Sequence, residues 1–284
     1  MELEGKLGCI VPIAIMVLLV GGGGVYWWFN VVDAKKEAET ALETAEFGKA
    51  ENEARRYLRP PGSQSELIGR YLQAQGGEAQ IAQINSIRLQ GKVIADGKEI
   101  PFSQIKRAPN QSRLIIETQP RRMITTDNGK EVWRSFEGLP TAYRLTGEAA
   151  HTARGSSPIL SPIWALRDTP GALDWSGQEE IDGVTYYKIE VKRTDRPDLT
   201  YWIDGERYLE YRVESITPSG QLEVTTFEDY RKVGWLTIPF HIIVTRDGEI
   251  ASEIIIEQAD LNIGLLSAYF DAPEQMEDWP PKAE

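Results

Sequence analysis

The residues that most often carry catalysis are sparse in this sequence. Its two histidines, His151 and His241, are 90 positions apart. The H-E-x-x-H zinc motif, the phosphate-binding P-loop, the G-x-G-x-x-G turn and the G-x-S-x-G nucleophile elbow are absent from the sequence. A Ser/His/Asp triad assembles from distant positions, so spacing alone does not test for one. These observations predict a protein that is not an enzyme.

The acidic pairs do not have the pattern of a paired-carboxylate site. Glu179 and Glu180 are neighbours in a strand-like run, and so are Glu228 and Asp229. Neighbouring side chains on a strand point to opposite faces, whereas glycoside hydrolysis needs two carboxyl groups that converge. We therefore interpret both pairs as solvated charge.

Metal and cofactor chemistry is not indicated either. The single cysteine, Cys9, excludes an intramolecular disulfide and a cysteine-based zinc site. His241 lies in the run IPFHIIVT on the same face as Ile243, and we expect it to be partly buried and hydrogen-bonded to its neighbours. His151 is expected in a surface loop. No metal and no cofactor is predicted.

Large apolar side chains supply the positive signal, which is for an apolar ligand. Rings that line one side of a sheet would suit an acyl chain, because ligand pockets are mostly apolar. The alternative is that they fill the core, since aromatic side chains bury large areas. The candidate ligand-binding residues are Trp133, Trp164, Ile163, Leu160, Trp202, Phe227 and Trp235.

Charge narrows the class of partner. The formal net charge is −12 at pH 7 and the sequence pI is about 4.9. Nucleic-acid binding needs a basic surface that neutralises phosphates, and the sequence has none. No nucleic-acid partner is predicted.

The elements that must position these side chains are strands from Ser86 onward. Turn dipeptides recur between β-branched and aromatic runs, which predicts sequential antiparallel hairpins. Alternation at Tyr201 and Ile203, and again at Leu209, Tyr211 and Val213, predicts a sheet with one buried face. The main turn dipeptides are Asp96-Gly97, Asn128-Gly129, Asp182-Gly183, Asp204-Gly205, Ser219-Gly220 and Asp247-Gly248.

Two segments are candidates to cover that buried face. Residues 65–75 have helical spacing and end at Gly76-Gly77. Residues 156–173 contain three prolines and an apolar cluster, which predicts a short helix or apolar loop between strands. A sheet with one apolar face needs such a cover.

The N-terminal segment 7–32 has no charged residue, which is typical of a membrane-spanning helix. Its 26 or so residues would rise roughly 39 Å as a helix, more than a bilayer core of about 30 Å. The aromatic cluster at residues 26–29 suits the headgroup region. A partner helix would pack on small residues, although four glycines would equally suit a flexible joint. These glycines are Gly21, Gly22, Gly23 and Gly24.

Two alternatives compete with a retained anchor. A cleaved signal peptide would need a shorter apolar run and a small-residue cleavage site, which residues 21–24 could supply. The sequence Leu7-Gly8-Cys9 resembles the end of a lipoprotein signal, but no hydrophobic region precedes it. The long apolar run and the aromatic cluster favour the anchor.

The domain organisation follows from these segments. Residues 1–6 form an N-terminal tip, 7–32 the transmembrane helix, and 33–62 a helical stalk that ends in a Pro-Pro-Gly linker. Residues 63–273 form the β domain, and residues 274–284 an acidic tail that we expect to be loosely ordered.

From residue 67 to residue 273 the sequence resembles the LolA-like superfamily, the outer-membrane lipoprotein-sorting proteins and related periplasmic proteins. The resemblance rests on the order of several weak motifs. It implies an α+β fold, a half-open antiparallel β-barrel covered by short helices, with acyl chains or lipoproteins as ligands. The motifs are AQGG and INSIRLQGKV, Ala108-Pro109, DNGKEVW, EEIDGVTYYKIEV, YWIDGERYLEYRVE, FEDYRKVGWLTIPFHI and DLNIGLLSAYFDAP.

The sequence supports two alternative hypotheses for the function. The first is a membrane-anchored, non-enzymatic periplasmic domain that binds a lipid, acyl chain or lipoprotein. The second is an accessory structural subunit of a larger electron-transfer or transport complex, with the β domain as an extrinsic cap. The resemblance implies an inner-membrane protein with a periplasmic C-terminal domain, whereas the lysine and arginine count would place that domain in the cytoplasm.

Overall fold

The computed structural model describes residues 59–194, 197–217 and 219–279. The predicted transmembrane helix at 7–32, with Gly21, Gly22, Gly23 and Gly24, lies outside this range, and so does nearly all of the predicted stalk. Within the described residues, no helix has the length and apolar character needed to cross a bilayer.

Four α-helices and fourteen strands make up the described chain. The helices are α1 (Gln64–Gln75), α2 (Glu78–Ile81), α3 (Gly147–Gly155) and α4 (Pro162–Leu166), and a 3-10 helix spans Ser267–Phe270. The first seven strands are β1 (Ser86–Ala95), β2 (Lys98–Arg107), β3 (Gln111–Ile116), β4 (Met123–Asp127), β5 (Val132–Phe136), β6 (Ala142–Arg144) and β7 (Leu173–Ile181). The others are β8 (Val184–Val191), β9 (Leu199–Asp204), β10 (Glu210–Ile216), β11 (Leu222–Val233), β12 (Leu236–Arg246), β13 (Glu249–Leu261) and β14 (Met276–Asp278).

All fourteen strands belong to one open sheet in the order β14-β6-β5-β4-β3-β2-β1-β13-β12-β11-β10-β9-β8-β7. Every pair is antiparallel except β14 with β6, which is parallel. The edge strands β14 and β7 do not pair with each other, so the sheet is not closed. The predicted antiparallel, half-open sheet is confirmed.

Asp-Gly turns connect the hairpins as predicted. Both residues of Asp96-Gly97, Asp182-Gly183 and Asp247-Gly248 have positive φ. This is the geometry of a type I′ turn, whose twist matches that of the flanking strands. Each turn therefore fixes the register of its hairpin.

One contact joins the two halves of the chain. Strand β1 pairs with β13, and the register shifts between Gln90 and Gly91. A Cβ at Gly91 would lie 2.0 Å from the carbonyl oxygen of Ile255, so only glycine fits where the strands approach each other.

We call the face of the sheet that α1 and α4 cover the inner face. The main hydrophobic core lies between it and these helices, and includes Leu67, Tyr71, Ile163, Phe227 and Ile254. The predicted covers at residues 65–75 and 156–173 are therefore confirmed. The outer face of β2 and β3 is covered by the 3-10 helix, where Arg107 lies over the ring of Phe270.

The predicted acidic tail is 274–284, and the structure corrects the expectation of loose order for its residues 274–279, whereas residues 280–284 lie outside the described range. Met276–Asp278 forms the edge strand β14, and the amide of Trp279 donates to the carbonyl of Arg144 at 2.9 Å. The ring of Trp279 packs against Phe136 and Tyr143. Aromatic burial and one further strand pairing order this short segment.

Candidate functional site

The inner face has two halves that differ in chemistry. We call the inner face of β1 and β8–β13, under α1 and α4, the apolar half. Its fully buried side chains include Ile189, Tyr201, Phe227, Ile242, Val244 and Ile254. We call the inner face of β2–β5, under α3, the polar half; α3 packs on β4 and β5.

Helix α1 is anchored at both ends over the apolar half. Ser63 caps it, because the side chain of Ser63 accepts a hydrogen bond from the amide of Glu66 at 3.2 Å. At the other end, a Cβ on Gly76 would lie 2.2 Å from the carbonyl oxygen of Trp235. The indole of Trp235 donates to the carbonyl of Gln80 at 3.0 Å. The β11–β12 hairpin therefore holds the segment that joins α1 to α2.

A charged cluster fixes the same helix at its edge. The buried guanidinium of Arg70 donates to Glu66 at 2.6 Å, to the carbonyl of Arg59 at 2.8 Å and to the hydroxyl of Tyr208. Hydrogen bonds from the Gly62 amide and from Arg70 lower the pKa of Glu66 to about 2. These contacts tie α1 to the residues before β10.

One carboxyl group is buried in the apolar half. Glu210 is 0 % exposed, and its Oε1 accepts a hydrogen bond from the hydroxyl of Tyr71 at 2.5 Å. The Tyr71 oxygen is 2.6 Å from the Ser161 hydroxyl, just before α4. A single polar chain therefore links the sheet, α1 and the α4 segment. Burial raises the pKa of Glu210 to about 8, against the lowering effect of the Tyr71 hydrogen bond.

The polar half buries cations and amides. Lys106 is 0 % exposed, and its side-chain nitrogen donates to the carbonyl of Ser156 at 2.5 Å. Burial holds the pKa of Lys106 well below its ordinary value. Neither atom of the Gln104 amide has a hydrogen-bond partner among the described residues. Arg134 is also buried, and burial lowers its pKa.

A hydroxyl–carboxylate chain connects α3 to the polar half. Ser157, just after α3, donates to a carboxylate oxygen of Asp127 at 2.7 Å, and its oxygen lies 3.0 Å from that of Ser112. The second oxygen of Asp127 accepts from the amide of Gly129 at 2.8 Å. A cavity of about 20 Å³ lies beside this chain. Its lining residues are Ser112, Leu114, Met123, Thr125, Arg134, Ala149, Ala153 and Ser156.

Four of the seven predicted ligand residues lie at the main core. Phe227 and Ile163 are fully buried there, and Leu160 and Trp164 pack against it. The guanidinium of Arg167 lies 3.9 Å from the centre of the Trp164 ring. These four residues come from β11 and from the α4 segment, so the structure brings them to the same side of the sheet.

The other three do not lie in the apolar half. Trp202 is on the outer face, where the centre of its ring lies 4.1 Å from the Nζ of Lys188 and 3.9 Å from the Cζ of Arg212. Trp133 is opposite Thr126 in the register, on the face away from Arg134. Trp235 is 39 % exposed in the β11–β12 turn. Alternation along each strand explains the first two, because the neighbouring residue points inward.

Sequence reasoning missed Glu210, Tyr71 and the buried polar residues of β2–β5. The alternation Leu209, Tyr211, Val213 predicts that all three face the core, but a bulge between Glu210 and Arg212 shifts the register. Glu210 therefore takes the inward position opposite Ile203. No sequence signal marks this bulge. In β2, however, Gln104 and Lys106 follow Phe102 at every second position, so the alternation in the sequence predicts that both polar side chains point inward.

His241 has the environment that the sequence predicts. Its Nδ1 lies 3.0 Å from a carboxylate oxygen of Glu228, and its Nε2 lies 3.1 Å from one of Glu253. Glu228 is therefore hydrogen-bonded on the outer face rather than fully solvated. Among the residues that the structure describes, no group of three His, Cys, Asp or Glu side chains is placed to hold a metal ion.

No family model matches the sequence, and no curated protein matches it significantly. Solved structures do resemble it. A LolA superfamily protein from Nitrosomonas europaea is 16 % identical with a TM-score of 0.52, and the match covers 74 % of this chain and 99 % of that one. A putative outer membrane lipoprotein-sorting protein domain from Vibrio parahaemolyticus is 12 % identical with a TM-score of 0.52, covering 73 % and 95 %.

A third structure extends the likeness. A DUF1329 family protein from Desulfovibrio piger is 15 % identical with a TM-score of 0.51, and the match covers 75 % of this chain and 97 % of that one. At such identities the likeness concerns the fold. Together with the open antiparallel sheet and its helical cover, it shows that this chain has a LolA-like fold.

Proposed function

We propose that the β domain binds one acyl chain of a lipid or a lipoprotein on the apolar half of its inner face. The observation that carries this proposal is the nature of the cover. The face is closed by separate short helices, and α4 is five residues long and has no side-chain cap. Moving the α4 segment would expose an apolar surface that suits an acyl chain.

The fold likeness supports the same ligand class. One of the similar structures is described as a putative lipoprotein-sorting domain and another as a LolA superfamily protein. The proposed acyl site comprises Phe227, Leu160, Ile163 and Trp164. Trp133, Trp202 and Trp235 lie outside it.

The proposal includes a location. Residues 7–32 would anchor the chain in the inner membrane, with residues 63–273 in the periplasm, and the lysine and arginine count opposes this side. An anchored domain cannot cross the periplasm freely, so it would present or sense its ligand at one membrane. Protease access to residues 63–273 in intact spheroplasts tests the side, since cleavage without lysis requires periplasmic exposure.

The ligand is tested with full-length protein in mild detergent. Native mass spectrometry should detect co-purified lipid, and a fluorescent fatty acid should bind. Ile163→Ala loosens α4 by removing a fully buried side chain, so we expect several-fold tighter binding of the probe. Leu139→Ala, at a half-exposed side chain in the β5–β6 turn, is the matched control and should bind like wild type.

Absence of lipid, together with no binding of the probe to wild type or to Ile163→Ala, would refute the acyl-chain proposal. Circular dichroism of each variant separates this result from loss of the fold. The probe carries a chain of at least ten carbons, because the proposed site recognises apolar length rather than a headgroup.

A second candidate function is that of an accessory subunit in a membrane complex. The observation that favours it is that the apolar half is filled by the protein's own side chains, as expected for a structural cap. The cross-strand partners Ile216 and Leu222 are exposed and would suit a protein contact. Purification in mild detergent should then recover a stoichiometric partner, and Ile216→Asp with Leu222→Asp should release it. Recovery of the chain alone contradicts this function.

A further inference from the structure

Two buried polar atoms of the apolar half have no hydrogen-bond partner among the described residues. One is Oε2 of Glu210 on β10, and the other is the hydroxyl oxygen of Tyr201 on β9. Both side chains are 0 % exposed. An unpaired polar group is costly to bury, and most buried polar groups in proteins are therefore paired. The two atoms are candidates for contact with a ligand.

These two atoms belong to neighbouring positions of the inner face. Glu210 is opposite Ile203 in the β9–β10 register, and Tyr201 is the next inward residue along β9. Long side chains at diagonal positions of this kind can reach each other. Burial, and after it the nearby Glu210, raises the pKa of Tyr201 well above its ordinary value, which agrees with this placement. A small group placed between the two side chains would contact both.

The other hydroxyl groups around Glu210 already have partners. Tyr71 donates its proton to Oε1 of Glu210, and Tyr230 donates to the backbone carbonyl of Glu210 at 3.1 Å. Because Tyr71 has used its own proton, the 2.6 Å contact between its oxygen and Ser161 uses the proton of Ser161. Burial raises the pKa of Glu210 to about 8, so its carboxyl group is protonated at pH 7 and Oε2 carries the proton. Oε2 and the Tyr201 hydroxyl are therefore two donors that lack an acceptor.

The start of the α4 segment closes this place. Ser161 directly precedes α4, and its hydroxyl contacts Tyr71, which donates to Glu210. Movement of the α4 segment, which acyl binding requires, would break the Ser161 contact. Phe227 of the proposed acyl site is on β11, the strand that pairs with β10. The two free donors would then lie at the border of the acyl site.

We propose that Glu210 and Tyr201 together bind the uncharged carbonyl oxygen of an ester-linked or amide-linked acyl chain once the α4 segment has moved. This inference rests on the proposed acyl-chain function, and it concerns the chain's own carbonyl, whatever headgroup follows. A carbonyl oxygen has two lone pairs and no proton, so it can accept from both donors. In the described chain, no cation lies within hydrogen-bonding distance of either unpaired atom. The anionic carboxylate of a free fatty acid would therefore be buried there without a counter-charge, which is unfavourable.

The test measures displacement of the fluorescent fatty acid from full-length protein in mild detergent at pH 7. The competitors are methyl decanoate, N-methyldecanamide, decanoate and dodecane, which are similar in length but differ in their polar end. Each affinity is expressed as a ratio to that of dodecane in the same variant. A looser cover acts on every competitor alike, so Ile163→Ala should leave these ratios unchanged. Partition into detergent is the same for every variant and cancels when variants are compared.

Tyr201→Phe removes one of the two donors and keeps the ring. The ester and amide ratios should each fall about fivefold, because one hydrogen bond to the ligand is lost, and the decanoate ratio should stay the same. Tyr211→Phe is the matched control, since it makes the same change on the outer face, where the ring centre lies 4.5 Å from that of Tyr186. Its ratios should equal those of wild type.

Two substitutions of Glu210 separate hydrogen bonding from packing. Glu210→Leu removes the second donor and should lower the ester and amide ratios as Tyr201→Phe does. Glu210→Gln should retain both ratios, because an amide N–H also donates and the amide oxygen still accepts from Tyr71. Circular dichroism checks that each variant is folded.

The two carbonyl competitors identify the source of the chain. A fall in the amide ratio alone in Tyr201→Phe indicates the amide of an N-acylated lipoprotein, and a fall in the ester ratio alone indicates a glycerolipid. A fall in both indicates that the site accepts either carbonyl.

The outcomes also separate this inference from the acyl-chain function. If no competitor binds, dodecane included, the acyl-chain function is refuted and the carbonyl inference with it. If the competitors bind but Tyr201→Phe leaves the ester and amide ratios unchanged, only the carbonyl inference is overturned. A decanoate ratio that falls as far as the ester ratio would overturn the preference for an uncharged ligand.

Discussion

The two halves of the inner face belong to one sheet but differ in the side chains that they bury. In the apolar half, strands β8–β13 bury aliphatic and aromatic side chains against α1, with Glu210 among them. In the polar half, equivalent inward positions on β2–β5 hold Gln104, Lys106, Thr125 and Arg134. Burial of apolar area stabilises both halves, because Leu114, Ile116 and Met123 of the polar half belong to the same core, but the polar half buries more polar side chains per strand. The two halves therefore differ in how many polar groups they bury.

The excess of buried polar groups in the polar half indicates a functional role for that half. Proteins violate local rules mostly at functional sites and compensate elsewhere in the structure. The amide of Gln104 has no hydrogen-bond partner among the described residues, and Lys106 donates to a single carbonyl. The continuous hydrophobic core, to which Phe102 and Leu114 of the polar half belong, offsets the cost of these buried polar groups.

The largest effect should come from Phe227→Ala. Phe227 is fully buried at the centre of the apolar half, and truncating such a ring typically costs about 3–5 kcal/mol. Urea unfolding monitored by circular dichroism measures the change.

The matched variant in the polar half is Gln104→Leu, at an equally buried position. It removes two unpartnered polar atoms at similar volume, so we expect a loss of less than about 1 kcal/mol or a gain. Equal losses in the two variants would show that the halves do not differ as described.

The second prediction concerns pH. A carboxyl group whose pKa rises from 4.5 to about 8 on folding stabilises the protein fully below about pH 4.5 and loses that contribution by about pH 8. Between pH 5 and pH 7.5 the loss from Glu210 should be on the order of 3 kcal/mol. Glu210→Gln keeps an acceptor for the Tyr71 hydroxyl and should remove this pH dependence.

Unfolding free energies at pH 5, 6, 7 and 7.5 test this comparison. Glu257→Gln, at an exposed carboxylate on β13, is the control and should follow wild type. A wild-type curve that rises over this range in parallel with Glu210→Gln would contradict a buried neutral carboxyl group.

Much of the fold could be predicted because its signals are local. Asp-Gly turns fix hairpins, the alternation at Tyr201 and Ile203 gives the inward face, and Gly76-Gly77 ends α1. The pairing of β1 with β13 depends on residues about 165 positions apart, so the strand order follows from no local pattern. β14 is three residues long and was missed for the same reason.

The candidate site was less predictable than the fold. Residue type alone marks the apolar candidates, but the alternation of side chains along each strand places Trp133 and Trp202 on the outer face. The register shift beside Glu210 reverses parity, which no composition rule detects. Inward polar residues on β2 did carry a signal, because Gln104 and Lys106 interrupt an otherwise apolar period.

The last prediction concerns Lys106→Met, and the pH dependence that it removes should have the opposite sign to that of Glu210. Burial depresses the pKa of Lys106, so the unfolded chain binds a proton that the folded chain lacks, and stability should rise with pH toward 10.5. The slope is at most about 1.4 kcal/mol per pH unit.

Methionine keeps the length of the side chain but has no titrating group, so Lys106→Met should lack this rise. At pH 7 Lys106→Met should be more stable than wild type, because methionine carries no buried titrating group, although the lost hydrogen bond to the Ser156 carbonyl offsets about 1 kcal/mol of this gain. Unfolding free energies at pH 7, 8 and 9 measure the slope, with Lys98→Met at the exposed first residue of β2 as the control. Identical slopes in wild type and Lys106→Met would mean that Lys106 is charged and solvated, and the polar half would then no longer differ from an ordinary surface.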